Sequence, residues 1–135
     1  MKKSIPLILI LSILISTFSG AAIAQDNRLT LVGSWEGSTA IGTDEITMAF
    51  TFAVSNGEYT ATLINTNMGV YGMPVDIIEI NGLNMIMRIE RIDVEFLGRL
   101  RLNDVGDTVL RIDGDWYQRS EMTPVVLLPV AQPSL

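Results

Sequence analysis

The chain has 135 residues, of which 48% are hydrophobic and 18% charged, with a formal net charge of −6. It contains no Cys and no His, which excludes a disulfide framework, a thiol nucleophile, a Ser-His-Asp triad and a His-ligated zinc. Length allows one domain, or one domain behind a targeting segment, and the acidic balance argues against a nucleic-acid partner.

The N-terminus reads as an export signal. Lys2 and Lys3 form a positive start, residues 4–24 carry no charge, and residues 5–18 are mostly Ile and Leu. The small residues Ala22-Ile23-Ala24 then precede Gln25, the small-x-small pattern at which signal peptidase cuts. The expected division is a signal peptide, residues 1–24, and one folded domain, residues 25–135. No Cys stands at the cut, so no lipid anchor is expected. The mature chain has 111 residues and a net charge of −8, since both lysines leave and the seven remaining cations are all Arg. It is expected in the periplasm or outside the cell, with no stable membrane insertion.

The mature sequence alternates with a period of two, the mark of strands. Leu29, Leu31, Gly33, Trp35 and Gly37 share one face, and Ile46, Met48, Phe50, Phe52 and Val54 share the next. Ser55-Asn56-Gly57 is a hairpin turn, because Asn-Gly accepts the positive φ of tight turns, and Tyr59, Ala61 and Leu63 follow. Residues 65–74 read as a long loop whose apolar members, Met68, Val70, Tyr71 and Met73, either cap a barrel end or form a recognition patch. A strand over 75–80 and the Asn81-Gly82 turn lead to Leu83, Met85, Met87 and Ile89. The phase then shifts near residues 90–93, which implies a turn or bulge. Phe96, Gly98, Leu100 and Leu102 come next, then a turn over 103–107 and the face of Leu110, Ile112, Gly114, Trp116 and Gln118. A last apolar run, 125–130, closes the sheet. Ile86, Leu97 and Val109 fall on the exterior, a small patch for a partner or a second copy.

About eight strands with no amphipathic helix predict an all-β fold, either a single antiparallel up-and-down barrel or a two-sheet sandwich. The glycines favour the barrel. Gly33, Gly37, Gly98 and Gly114 fall on inward faces, where they permit strand bending and leave room for large rings.

Gly33-Ser34-Trp35-Glu36-Gly37 resembles the GxWxG opening of small lipocalin-like or fatty-acid-binding-protein-like bacterial domains. Phe50-Thr51-Phe52 with Gly57-Glu58-Tyr59 resembles their second hairpin. Gly72-Met73-Pro74-Val75, Phe96-Leu97-Gly98-Arg99-Leu100 and Gly114-Asp115-Trp116-Tyr117-Gln118 follow in the same order. The resemblance spans nearly all of residues 31–130 and implies a lipocalin-like barrel. Such domains also occur ahead of serine hydrolase domains, but the resembling stretch holds none of that catalytic machinery.

No catalytic constellation is visible. No Ser lies in Gly-x-Ser-x-Gly or Ser-x-x-Lys, and Glu90, Asp93 and Glu95 sit among Arg88 and Arg91 as a mixed surface. Asp113 and Asp115 lack calcium-loop spacing and read as ion-pair partners of nearby arginines. The chain is therefore expected to be no enzyme and to need no cofactor. The inward residues Trp35, Met48, Phe50, Met85, Met87 and Trp116 either form a plain core or line a pocket for an acyl chain or similar molecule, with Tyr59 and Gln118 as polar handles. The expected function is binding of a small hydrophobic ligand in the barrel. The alternative is a protein-interaction or stabilising module acting beside a separate hydrolase.

Overall fold

Alternation at a period of two builds nearly all of the structure, a computed structural model that describes residues 29–135. The expected signal peptide lies outside the described residues. Nine strands follow one another: β1 (Gly33–Ile41), β2 (Asp44–Ser55), β3 (Glu58–Asn65), β4 (Val70–Pro74), β5 (Ile77–Asn81), β6 (Asn84–Ile89), β7 (Val94–Leu102), β8 (Val109–Gln118) and β9 (Glu121–Val130). Among the described residues there is no α-helix, only 3-10 turns at Thr66–Met68 and Glu90–Ile92.

All strands join one antiparallel sheet in the order β4-β3-β2-β1-β9-β8-β7-β6-β5. Each strand pairs with its chain neighbour except β4 with β5, and β9 returns to pair with β1. The sheet curls into a half-barrel whose two edges, β4 and β5, are joined by residues 75 and 76. There the Val75 amide donates to the Ala61 carbonyl on β3 at 2.9 Å, and the Asp76 amide donates to the Arg88 carbonyl on β6 at 2.9 Å. The chain thus steps from one edge of the sheet to the other, and among the described residues no strand pairing closes the seam beyond that step.

The ninth strand comes from the stretch expected to be a loop. Asn65 Oδ1 accepts from the Met68 amide at 3.2 Å, Gly69 takes φ 68°, and the tightened turn returns the chain so that Val70 pairs with Asn65. Met68, Val70 and Met73 pack against the core while Tyr71 faces solvent, along an edge of the sheet. Strand β9 begins at Glu121 rather than near 125, because Arg119 and Ser120 make a two-residue hairpin turn with φ of 51° and 63°.

The inward residues form one cluster centred on Phe50, Phe52, Phe96, Met48, Met85 and Met87. The Phe50 ring lies 5.8 Å from Phe96 and 6.4 Å from Trp116. Gly98 and Gly114 face each other across β7 and β8, and a Cβ on Gly114 would run into the Phe96 ring. The glycine notch expected for a large ring is therefore present, and Phe96 fills it. At Gly37 a Cβ would run into the Val126 carbonyl oxygen, so β1 and β9 approach closely there. Three expected faces differ. Gly33 is exposed at φ 122° with open space around it. Val54 is exposed near the end of its hairpin. A register shift between Arg101 and Leu102 turns Val109 inward and Leu110 outward.

Candidate functional site

The residues expected to line a pocket are brought together, but as filling. Trp35, Met48, Phe50, Met85, Met87 and Trp116 are each no more than 5% exposed. The polar handles are engaged. Trp116 Nε1 donates to Gln118 Oε1 at 3.3 Å, and Gln118 Nε2 donates to the Ile92 carbonyl at 2.9 Å. This ties the end of β8 to the Glu90–Ile92 turn.

Tyr59 stands apart from that set. Its hydroxyl donates to the Leu29 carbonyl at 3.1 Å and accepts from the Leu31 amide at 3.2 Å. Trp35 Nε1 donates to the Leu31 carbonyl at 2.9 Å. Two aromatic side chains therefore pin residues 29–31 across one end of the barrel, with Leu31 buried beneath.

Above that plug lies a cleft of about 900 Å³. It runs between β5 and the start of β3, along the open seam. Leu29, Leu31 and Leu100 contribute apolar surface, Ile78 and Ile80 form one wall, and Tyr59 stands on the other. The cause is topological. Ile78 and Ile80 pair with Met87 and Met85 on β6. The two methionines are 1% exposed, whereas the two isoleucines are only half-buried, because no strand of the described residues covers β5 on its other side.

Glu58, Asp76 and Glu79 rim the cleft, and none of the described residues lining it is a Lys or Arg. Asp76 Oδ2 accepts the Glu90 amide at 2.7 Å, Glu79 lies in the field of Arg88 on β6, and Glu58 stands at the start of β3. Elsewhere several charges are paired. Arg88 meets Glu95 at 2.7 Å across β6 and β7, and the hydrogen bond and charge of that carboxylate raise the arginine's pKa. Asp113 lies 2.7 Å from Arg101 and 2.9 Å from Arg111. The Arg101 hydrogen bond holds its carboxyl below the usual range. Glu36 is held low by the Ser134 hydroxyl and amide. Among the described residues no three acidic side chains converge in a geometry that would hold a metal ion.

Sequence reasoning named Tyr59 but passed over Ile78, Ile80, Leu31 and Leu100 as a site. The available signal was the run Ile77-Ile78-Glu79-Ile80, whose isoleucines outnumber what one face needs. No family model, curated protein or solved structure matches the chain.

Proposed function

We propose that this chain is an exported, non-catalytic, lipocalin-like module that binds a small apolar ligand, and that the ligand lodges in the seam cleft rather than in the middle of the barrel. The carrying observation is the half-buried Ile78 and Ile80 above a leucine floor in a cleft of about 900 Å³. That volume lies in the range of small-molecule sites, about 300–1,000 Å³. The filled core leaves this cleft as the place where an apolar group gains the most by leaving water. The chain around it offers no activated nucleophile, which supports binding without chemistry.

Titration with a fluorescent long-chain fatty acid tests the reading. Saturable binding to the wild type, lost in Ile80→Asp and retained in Met87→Leu, is the expected result. Equal binding by both variants, or none by the wild type, overturns it. Export is checked by expression with the full leader and mass measurement of the periplasmic product, whose N-terminus should be Gln25. A protein-interaction role remains the second reading. The outer face of β9 favours it, where Met122, Val126 and Leu128 are about half exposed in the middle of the sheet beside Tyr117.

A further inference from the structure

The two edge strands of the sheet are not alike. Strand β4 is protected by the devices that usually blunt an edge. Gly72 sits at φ 74°, the register against β3 shifts between Leu63 and Ile64, and Pro74 has no amide hydrogen to offer. Strand β5 has none of these. It runs unbroken over Ile77-Ile78-Glu79-Ile80-Asn81, contains no Pro, Lys or Arg, and among the described residues pairs only with β6. Its inward Ile78 and Ile80 wait half-covered beside the cleft. Across the gap, β3 before Ala61 likewise has no strand partner on its seam side among the described residues.

We infer that an extended peptide of alternating apolar and basic residues adds to β5 as a further strand, laying its apolar side chains into the seam cleft. The inference rests on the reading of that cleft as the binding site and names the class of ligand. A strand added to an open edge gains main-chain hydrogen bonds, and every second side chain points into the pocket below. Five residues of β5 span about 17 Å at strand rise, enough to register a peptide of five or six residues. The inward side chains of the added strand would cover Ile78 and Ile80, completing the burial that β6 already gives Met85 and Met87. Charge sets the sign of the partner. Glu58 and Glu79 stand on the rim with no cation among the described lining residues, so arginine or lysine on the outward positions is favoured. The same charge disfavours a second copy. Antiparallel self-pairing about the centre of β5 sets Glu79 opposite Glu79, and like charges directly opposed across strands repel.

The test uses the processed full-length protein and a synthetic peptide alternating arginine and leucine. Three controls accompany it: the same peptide N-methylated at alternate residues, its glutamate-for-arginine counterpart, and the Glu79→Lys variant. The basic peptide should bind and displace the fluorescent fatty acid, and it should slow hydrogen exchange at β5 amides. N-methylation should weaken binding at least about tenfold, since it removes the ladder donors. The acidic peptide should not bind. Glu79→Lys should lose affinity for the peptide and bind the fatty acid at least as tightly as the wild type, because the new cation attracts its carboxylate. Equal binding of the N-methylated or acidic peptide overturns the inference, as does peptide binding with β5 exchange unchanged. If the fatty acid binds and no peptide does, this inference falls and the cleft reading stands. If neither binds, both fall.

Discussion

The middle of the barrel and its seam are made from the same kinds of residue, yet they end in opposite states. Between β6, β7 and β8 every inward side chain meets a neighbour on both sides, and Met85, Met87, Phe96 and Ile112 are sealed from water. At β5 the inward residues are just as apolar, but one flank has no strand. The difference lies in connectivity and not in hydrophobicity. A fully closed barrel has no edge, whereas here the chain crosses the gap with two residues and leaves a cleft beside the crossing.

That contrast is broken most severely in the middle. Phe96→Ala empties the glycine notch between Gly98 and Gly114 and should cost about 3–5 kcal/mol, read from denaturant unfolding. Gly114→Ala inserts a methyl where the Phe96 ring lies and should cost about 1–3 kcal/mol. The two changes share one space, so Phe96→Leu with Gly114→Ala should cost clearly less than the sum of the separate losses. Strict additivity would mean that the ring and the glycine do not meet.

At the seam the effects are smaller and local. Tyr59→Phe removes the hydroxyl that holds Leu29 and Leu31 and should cost about 1–2 kcal/mol. Faster amide exchange at Leu31, with little change in the exchange of β7 and β8, is the expected signature. A uniform loss of protection would instead make the plug part of the main cooperative unit. Away from both regions, Ser120→Gly relieves a positive φ at a non-glycine residue and should raise stability by about 0.5–1 kcal/mol.

The smallest effect is that of pH. Asp113 and Glu36 have carboxyls held below their ordinary values by Arg101 and by Ser134. A depressed folded-state pKa contributes stability that is present above the unfolded value, near pH 4, and is lost as pH falls through the folded value. Stability should therefore stay level from neutral pH down to about 5 and decline below about 4. The surface pair at Asp113 should account for no more than about 1 kcal/mol of that decline. With no His in the chain, a transition between pH 6 and 7 would contradict this assignment.

Most of the sheet was legible because its signals are local. Asn56-Gly57 has positive φ at both positions, the phase shift after Ile89 is a 3-10 turn closed by Asp93 at φ 52°, and Asn103 caps the turn that its position implied. The misses have physical reasons. Strand β4 was hidden in Asn, Gly and Pro because edge strands tolerate residues that inner strands reject. The Arg119-Ser120 turn has none of the Gly, Asn or Asp that tight hairpin turns favour at positive φ, so the hairpin context imposes its backbone. Leu110 and Val109 exchange faces because a bulge is invisible to simple alternation. The apolar candidates Trp35, Met48, Phe50, Met85, Met87 and Trp116 were correctly placed inward, but composition does not show whether an interior is filled. Only the strand order reveals that Ile78 and Ile80 lack a described neighbour strand on one side.

Mapping amide and methyl chemical shifts during titration with the fatty acid tests the central claim most directly. The account predicts that the largest changes centre on Leu31, Tyr59, Ile78, Ile80 and Leu100, while Phe50, Phe96 and Trp116 stay nearly still. Changes centred on Phe50, Met87 and Trp116, with the seam silent, would place the ligand in the middle of the barrel and contradict it.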